Sequence, residues 1–362
     1  MKLFRSRPGI GFGFLSSVFA IAVGLLFGLI ILLISNPAQA FRGFHAILMG
    51  ATFGGMRSVG QILYFATPIV LTGLSVGFAF KTGLFNIGAP GQFIVGAFGA
   101  VLVGVLGTSL GQWHWIIALL AALVLGALWA AIPGVLKAYA NVNEVISSIM
   151  MNYIGMYLVN YLVARTIFDS LRNQSLPVKS SAIIPKMGLG ALFPRSNVNG
   201  GFFIAVLAVI LIHIVLNKTT FGYELKAVGL NRFASQYAGI DEKRSIICSM
   251  LIAGALAGLG GGLLYLAGSG KHIEVVDVLA AEGFQGIPVA LLGLSSPLGI
   301  LLAGLFIAYI TVGGFYMQLY DFVPEVIDII VASIIYFSAF SLIIKTYLER
   351  RRSRAGGGKA NG

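Results

Sequence analysis

Asn86 and Gln92 flank a Gly88-Ala89-Pro90-Gly91 step inside otherwise apolar sequence, and Ser148 and Asn152 stand four residues apart in a second apolar run. Glycine and proline interrupt a helix at the first of these places, and an amide beside such a break has two uses. It can cap the unwound backbone, or it can offer hydrogen bonds to a solute crossing there. Ser148 and Asn152, at i and i+4, share a helix face and can line a pore or bond a neighbouring helix. The chemistry within reach of these groups is neutral hydrogen bonding. No nucleophile–base pair or metal constellation accompanies them: His45, His114, His213 and His272 lie on separate segments, and the single Cys248 has no internal disulfide partner.

Strings that imitate nucleotide motifs fail on context. Gly268-Ser269-Gly270-Lys271 looks like the end of a P-loop, but Tyr265 stands at the upstream glycine position and His272 replaces Ser or Thr. The glycines at 9, 11 and 13 and at 258, 260, 261 and 262 lack the strand and helix a dinucleotide fingerprint needs. Any ATP hydrolysis linked to this chain therefore belongs to another subunit.

The elements that must position the polar residues are membrane helices. Only 10% of the 362 residues are charged, 58% are hydrophobic, and mean hydropathy is +0.94. A soluble domain carries roughly 25% charged residues, so a soluble enzyme, a nucleic-acid-binding domain and a disordered regulator are all excluded. At about 20 apolar residues per crossing, the runs 10–34, 61–80, 84–107, 113–136, 144–164, 201–216, 246–267, 283–294, 298–316 and 324–345 are candidate spans. The first follows Lys2, Arg5 and Arg7 but is too long for a signal-peptide core of about 7–15 residues, so it is expected to be retained. The eighth is short and carries Pro288, which suits a half-helix sheltered by protein. The expected fold is an all-α integral membrane protein of about ten transmembrane helices, with a broken or half-helix in each half and no soluble domain. Residues 1–350 form one transmembrane domain in this reading, and 351–362 a disordered basic, Gly-rich tail.

Twenty-four basic against twelve acidic residues give a net charge of +12. The basic residues sit in loops and tails, where anionic membrane lipid accounts for them and nucleic acid is not needed. The positive-inside rule places both termini in the cytoplasm with Lys81, Lys137 and the 217–245 loop. The 165–200 segment then falls outside, although it carries Arg165, Arg172, Lys179, Lys186 and Arg195. Gly254, Gly258 and Gly262 recur every fourth residue and form a small face for close helix packing or a rocking interface. Asn143 is placed to cap a helix and Glu144 to meet its dipole, as are Glu325 and Asp328 at the last span. The 217–245 loop has the spacing of two short amphipathic helices separated near Gly229. Its exposed apolar residues suit a protein partner, or the lipid headgroups.

Four stretches together resemble one family. Leu71–Gly88 (LTGLSVGFAFKTGLFNIG) is similar to the signature of the permease subunits of bacterial ABC importers for nucleosides and simple sugars. Asn143–Tyr153 (NEVISSIMMNY), Thr219–Ile240 (TTFGYELKAVGLNRFASQYAGI) and Gly283–Gly293 (GFQGIPVALLG) agree in the same order, with the nucleoside branch most alike. The resemblance implies a multi-pass subunit of the bacterial cytoplasmic membrane without a cofactor of its own. Its partners would be a second permease subunit, a cytoplasmic ATPase holding ATP and Mg, and an extracytoplasmic substrate-binding lipoprotein. It implies ATPase docking through Gly222, Glu224, Lys226, Gly229 and Asn231, and it adds Phe284 and Gln285 to the substrate path of Asn86, Gln92, Ser148 and Asn152. Pro90 and Gln285 depart from the Glu and the Asp or Asn of many relatives, which bears on substrate preference. Nucleosides are neutral and carry hydroxyls and a ring, which suits such a path. A simple-sugar or amino-acid permease is the alternative within the family. A self-sufficient secondary transporter is the alternative outside it, and it lacks the buried acid that coupling would use.

Overall fold

The computed structural model describes residues 10–339, and they are mostly helical with almost no sheet. In chain order the helices are α1 (Ile10–Ser35), α2 (Ala40–Leu48), α3 (Gly50–Phe53), α4 (Met56–Lys81), α5 (Ala89–Leu106), α6 (His114–Ala140), α7 (Glu144–Thr166) and α8 (Leu189–Leu192). They continue as α9 (Gly201–Lys218), α10 (Thr220–Leu230), α11 (Arg232–Tyr237), α12 (Glu242–Tyr265), α13 (Ala281–Phe284), α14 (Gly286–Leu292), α15 (Pro297–Met317) and α16 (Pro324–Ala339). The chain divides into two compact units, one formed by its two ends and the other by residues 51–309.

Among the described residues, seven helices are long and apolar enough to cross a membrane, built on α4, α5, α6, α7, α9, α12 and α15. The expectation of ten counts three further segments. Within α1, Ile21–Ser35 is a shorter apolar stretch. The 283–294 run is split at Gln285 into a four-residue and a seven-residue helix, neither of which can cross alone. The described part of α16 has 16 residues. Its expected extension to 345 lies outside the described residues, as does the tail 351–362.

In the larger unit α12 packs against α4, α5 and α6. Small residues permit this. A Cβ at Gly254 would lie 2.3 Å from the Ala130 Cβ, one at Gly258 would lie 2.4 Å from the Ala122 carbonyl oxygen, and one at Gly262 would lie 2.7 Å from the Ala122 Cβ. All three therefore abut α6. The neighbouring Gly261 fits against α5, where an added Cβ would lie 2.3 Å from the Phe93 carbonyl oxygen. With backbones this close, van der Waals contact replaces the hydrophobic drive that lipid removes.

The break between α4 and α5 has a local cause. Gly83 takes φ +76°, and the Leu84 amide donates to the Ala79 carbonyl at 2.9 Å, closing α4 as glycine-ended helices commonly close. Pro90 then stands in the first turn of α5, where its missing N–H costs nothing. At the opposite end of α4, the 165–200 segment is tied to the segment after α12. A two-residue hairpin, Phe168–Asp169 with Gln174–Ser175, is extended by an antiparallel bridge from Gln174 to Glu274. The Ser175 amide donates to the Ile273 carbonyl at 2.8 Å.

In the unit formed by the chain ends, Gly24 and Gly28 of α1 lie against Ile334 and Ile330 of α16, and Gly43 of α2 against Phe322.

Candidate functional site

The polar residues singled out at the α4–α5 break converge. Asn86 Nδ2 donates to Gln92 Oε1 at 2.8 Å, and Gln92 Nε2 donates back to Asn86 Oδ1 at 2.8 Å. Asn86 Nδ2 also donates to Ser75 Oγ of α4 at 3.0 Å. From α7, Asn152 Nδ2 donates to the Ile87 carbonyl at 3.0 Å, and its Oδ1 accepts from the Gly91 amide at 2.9 Å. Each of these amides is at most 1% exposed. The cluster therefore satisfies the unwound backbone and its own members, as buried polar groups must. One member stands apart: Ser148 Oγ is fully buried and, among the described residues, has no partner. Gly91 is needed here because a Cβ would meet the Asn152 Cα and Oδ1, each at 2.9 Å.

Phe284 and Gln285 follow a residue that meets the first turn of α5. Gly283 fits against Pro90, where a Cβ would come within 2.3 Å of the proline Cα, so α13 rests on the first turn of α5. Phe284 is exposed and Gln285 half-buried.

The 217–245 segment forms two short helices, α10 and α11, as its spacing suggests, but the break falls at Asn231, two residues beyond Gly229. Thr219 Oγ1 caps the start of α10 by accepting from the Gly222 amide at 3.0 Å. Asn231 Oδ1 caps α11 by accepting from the Ala234 amide at 3.0 Å. Leu225 and Val228 are buried, while Tyr223, Leu230, Phe233 and Tyr237 are exposed. Gly222 and Gly229 have internal work: a Cβ at Gly222 would lie 2.0 Å from the Val215 carbonyl, and one at Gly229 2.6 Å from the Gly83 nitrogen. Of the five residues assigned to docking, Glu224 is the acid left exposed, Lys226 is half-buried and Asn231 is engaged as a cap. Arg232 pairs with Glu242 and donates to Asn141 Oδ1 at 3.2 Å, fastening α11 to the start of α12 and the end of α6.

The outer face of α7 carries a signal that sequence reasoning passed over. With Ser148 and Asn152 turned inward, the exposed side presents Tyr153, Tyr157 and Tyr161, at i, i+4 and i+8, alongside Ile146, Ile149, Met150, Ile154 and Leu158. The repeat is plain in the sequence. Its exposure is not, because an aromatic stripe at helical spacing is more often core.

The described residues thus form a helical protein with seven candidate membrane spans, a neutral polar cluster at the α4–α5 connection and a capped two-helix segment after α9. Residues 58–339 match the family described as the permease component of the branched-chain amino acid transport system, and the chain belongs to that family of transporters. It is 39% identical over 336 residues to the guanosine ABC transporter permease protein NupP of Bacillus subtilis, covering 92% of this chain and 95% of that protein. To the nucleoside ABC transporter permease protein NupB of Lactococcus lactis it is 35% identical, covering 92% and 93%. To the glucose ABC transporter permease protein TsgB13 of Haloferax volcanii it is 34% identical, covering 86% and 83%. No solved structure matches the chain.

Proposed function

We propose that this chain is a membrane subunit of an ATP-driven importer that passes nucleosides across the bacterial cytoplasmic membrane by alternating access. The observation that carries this reading is likeness along more than nine-tenths of the chain to permeases named for guanosine and for nucleosides. The uncharged character of the α4–α5 cluster supports it, since a neutral, hydroxyl-bearing solute needs hydrogen bonds and no counter-ion. The glucose permease supports a sugar as the second reading.

In this proposal the chain crosses the membrane ten times with both termini cytoplasmic. It pairs with a second permease subunit and receives solute from an extracytoplasmic binding lipoprotein. It holds no cofactor, because ATP and Mg sit in a separate cytoplasmic ATPase. Phe284 and Gln285 border the path; Asn86, Gln92, Ser148 and Asn152 border it through the break whose geometry they set. The ATPase docks on α10 and α11, and its closure on ATP moves α10 against the end of α4 at Gly83. That drive works only if docking contacts differ between inward and outward states.

The test is uptake of labelled guanosine, uridine and glucose into vesicles holding this chain with its ATPase and permease partners. ATP-dependent nucleoside uptake is expected. Uptake without ATP by the lone chain would move the protein to the secondary transporters, and uptake of glucose alone would establish the sugar reading. Glu224 gives a local check. Because it is exposed and makes no ion pair among the described residues, Glu224→Lys should leave membrane level and melting temperature unchanged. Reversing one interface charge costs an association on the order of tenfold or more, read as lost co-purification of the ATPase. Normal co-purification would remove Glu224 from the interface.

A further inference from the structure

We infer that the exposed tyrosine face of α7 is a wall of the aqueous solute path, with Tyr153 and Tyr157 stacking on and hydrogen-bonding a neutral heterocyclic solute. This rests on the nucleoside-importer reading and adds the residues that would meet the solute.

Three observations lead there. First, depth: α7 has 23 residues, so at about 1.5 Å per residue it is about 35 Å long, and Tyr153 and Tyr157 fall in its middle third. Tyrosine is at home where a membrane meets water; a phenol hydroxyl in mid-bilayer finds nothing to bond. Second, exposure: Tyr153, Tyr157 and Tyr161 are 49%, 55% and 58% exposed. Third, contrast with neighbouring spans. Away from the span ends, where Tyr139 of α6 and Phe203 of α9 lie, the exposed side of α6 is Leu120, Val124, Leu128 and Ile132 and that of α9 is Leu207, Ile210, Leu211 and Ile214. On α7, by contrast, Tyr153 and Tyr157 are set among the exposed Met150, Ile154 and Leu158. Of the seven candidate spans α7 has the lowest mean hydropathy, 1.2 against 1.8 or more for the others. Two faces are therefore aliphatic through mid-span, and this one adds phenol hydroxyls there.

The stripe also leads somewhere. Tyr161 carries Arg165 over its ring at 5.6 Å, as suits the wet end of a span. On the turn between, Asn160 Nδ2 donates to the Val276 carbonyl at 3.0 Å and to Asp277 Oδ1 at 3.1 Å. That loop runs into α13 and Phe284. The inner face, with Asn152 tied to Ile87 and Gly91, holds α7 to the break, so the outer face is the side of α7 free to meet solute. Rings at i and i+4 give a flat heterocycle a π-face to lie on, and their hydroxyls give ribose-like oxygens a donor.

The experiment uses the assembled importer in vesicles. In a Cys248→Ala background, Tyr157→Cys and, as a lipid-facing control, Leu128→Cys are treated with a membrane-impermeant methanethiosulfonate. Modification of position 157 and not of 128, slowed by guanosine, is expected. In parallel, Tyr153→Leu/Tyr157→Leu makes the face more lipid-like. Guanosine uptake should fall about tenfold or more, while Tyr157→Phe, which keeps the ring, should lose less. Several results would overturn the inference: an unreactive thiol in the Tyr157→Cys variant, equal modification at 128 and 157, or undiminished uptake by the double leucine variant. A second permease covering this face would appear as that same unreactive thiol together with loss of permease pairing in the leucine variant, and would equally overturn it. Absence of guanosine protection in an importer that does take up guanosine would also count against it. If the wild-type assembly imports no nucleoside, the function reading fails by itself, and the contrast between 157 and 128 still decides whether the face is wet.

Discussion

Gly258→Val should remove most of the folded protein from the membrane. Gly258 is enclosed from two sides: a Cβ there would sit 2.4 Å from the Ala122 carbonyl oxygen and 2.8 Å from the Gly126 Cα, both in α6, and from α5 a Cβ added at Gly96 would fall 2.3 Å from the Gly258 Cα. Each neighbour is backbone, so no rotamer change makes room. Overpacking a well-filled site costs typically about 1–3 kcal/mol, and separating two helix backbones at once puts this case at about 3 kcal/mol or above. The measurements are steady-state membrane level and the thermal unfolding midpoint in detergent. Gly260→Ala, two residues away, is the milder comparison: its Cβ would lie 3.3 Å from the Leu71 Cβ and 3.5 Å from the Pro68 carbonyl oxygen, a tightness of a few tenths of an ångström and not a clash. Alanine also gains about 1 kcal/mol of helix propensity over glycine, so the change should be near neutral. Equal tolerance of both substitutions would mean that α12 does not run between α5 and α6 as described.

The contrast between those two glycines shows how far the sequence can be read. The period of four in Gly254, Gly258 and Gly262 announces a close approach, and the structure supplies α6 as the neighbour. It also shows that Gly260 and Gly261 face other helices, which a list of glycines does not reveal. The α4–α5 break was legible because Gly83, Gly88 and Pro90 act locally on backbone dihedrals. Gly222 and Gly229 were harder. They entered as docking residues through the resemblance, yet each also makes a backbone contact with a segment outside its own helix, Val215 and Gly83 respectively. A motif records that a residue is required and is silent on whether a partner or the chain itself requires it.

Non-local pairing was least legible. The 165–200 segment stood out only as a run of positive charge on the unexpected side. Its order comes from main-chain bonds to 273–275, about a hundred residues away, which leave no periodic trace. The split of 283–294 falls at Gln285, beside Gly286, whereas shortness, Pro288 and the flanking Gly283, Gly286 and Gly293 point to an interruption without fixing its place. The tyrosines of α7 were visible, but which face of a membrane helix is wet depends on where its other face is buried.

Asn86→Ala should destabilise the fold more than its size suggests, and a double-mutant cycle with Gln92→Ala should reveal why. The substitution deletes both bonds of the mutual amide pair and the bond to Ser75. It leaves the Gln92 amide at 1% exposure with neither its donor nor its acceptor satisfied. An orphaned buried polar group costs about 1–3 kcal/mol, so the loss should approach about 3 kcal/mol. Gln92→Ala should cost a similar amount for the same reason. The double variant removes both amides together and leaves fewer orphans, so it should be more stable than the sum of the singles by about 1–3 kcal/mol. Ser148 offers the complementary case: Ser148→Ala deletes a hydroxyl that has no protein partner among the described residues, so it should be neutral or slightly stabilising. Thermal unfolding midpoints test all four variants without substrate, and the KM for guanosine uptake at a temperature where each is folded tests the path. If Asn86 and Gln92 chiefly brace the break, midpoint shifts with strong coupling will dominate and KM will follow them weakly. If they reach the solute, KM will rise in variants whose midpoints have hardly moved, and the coupling in stability will vanish. Because the two amides spend both bonds of their pair on each other, the expected result is the first.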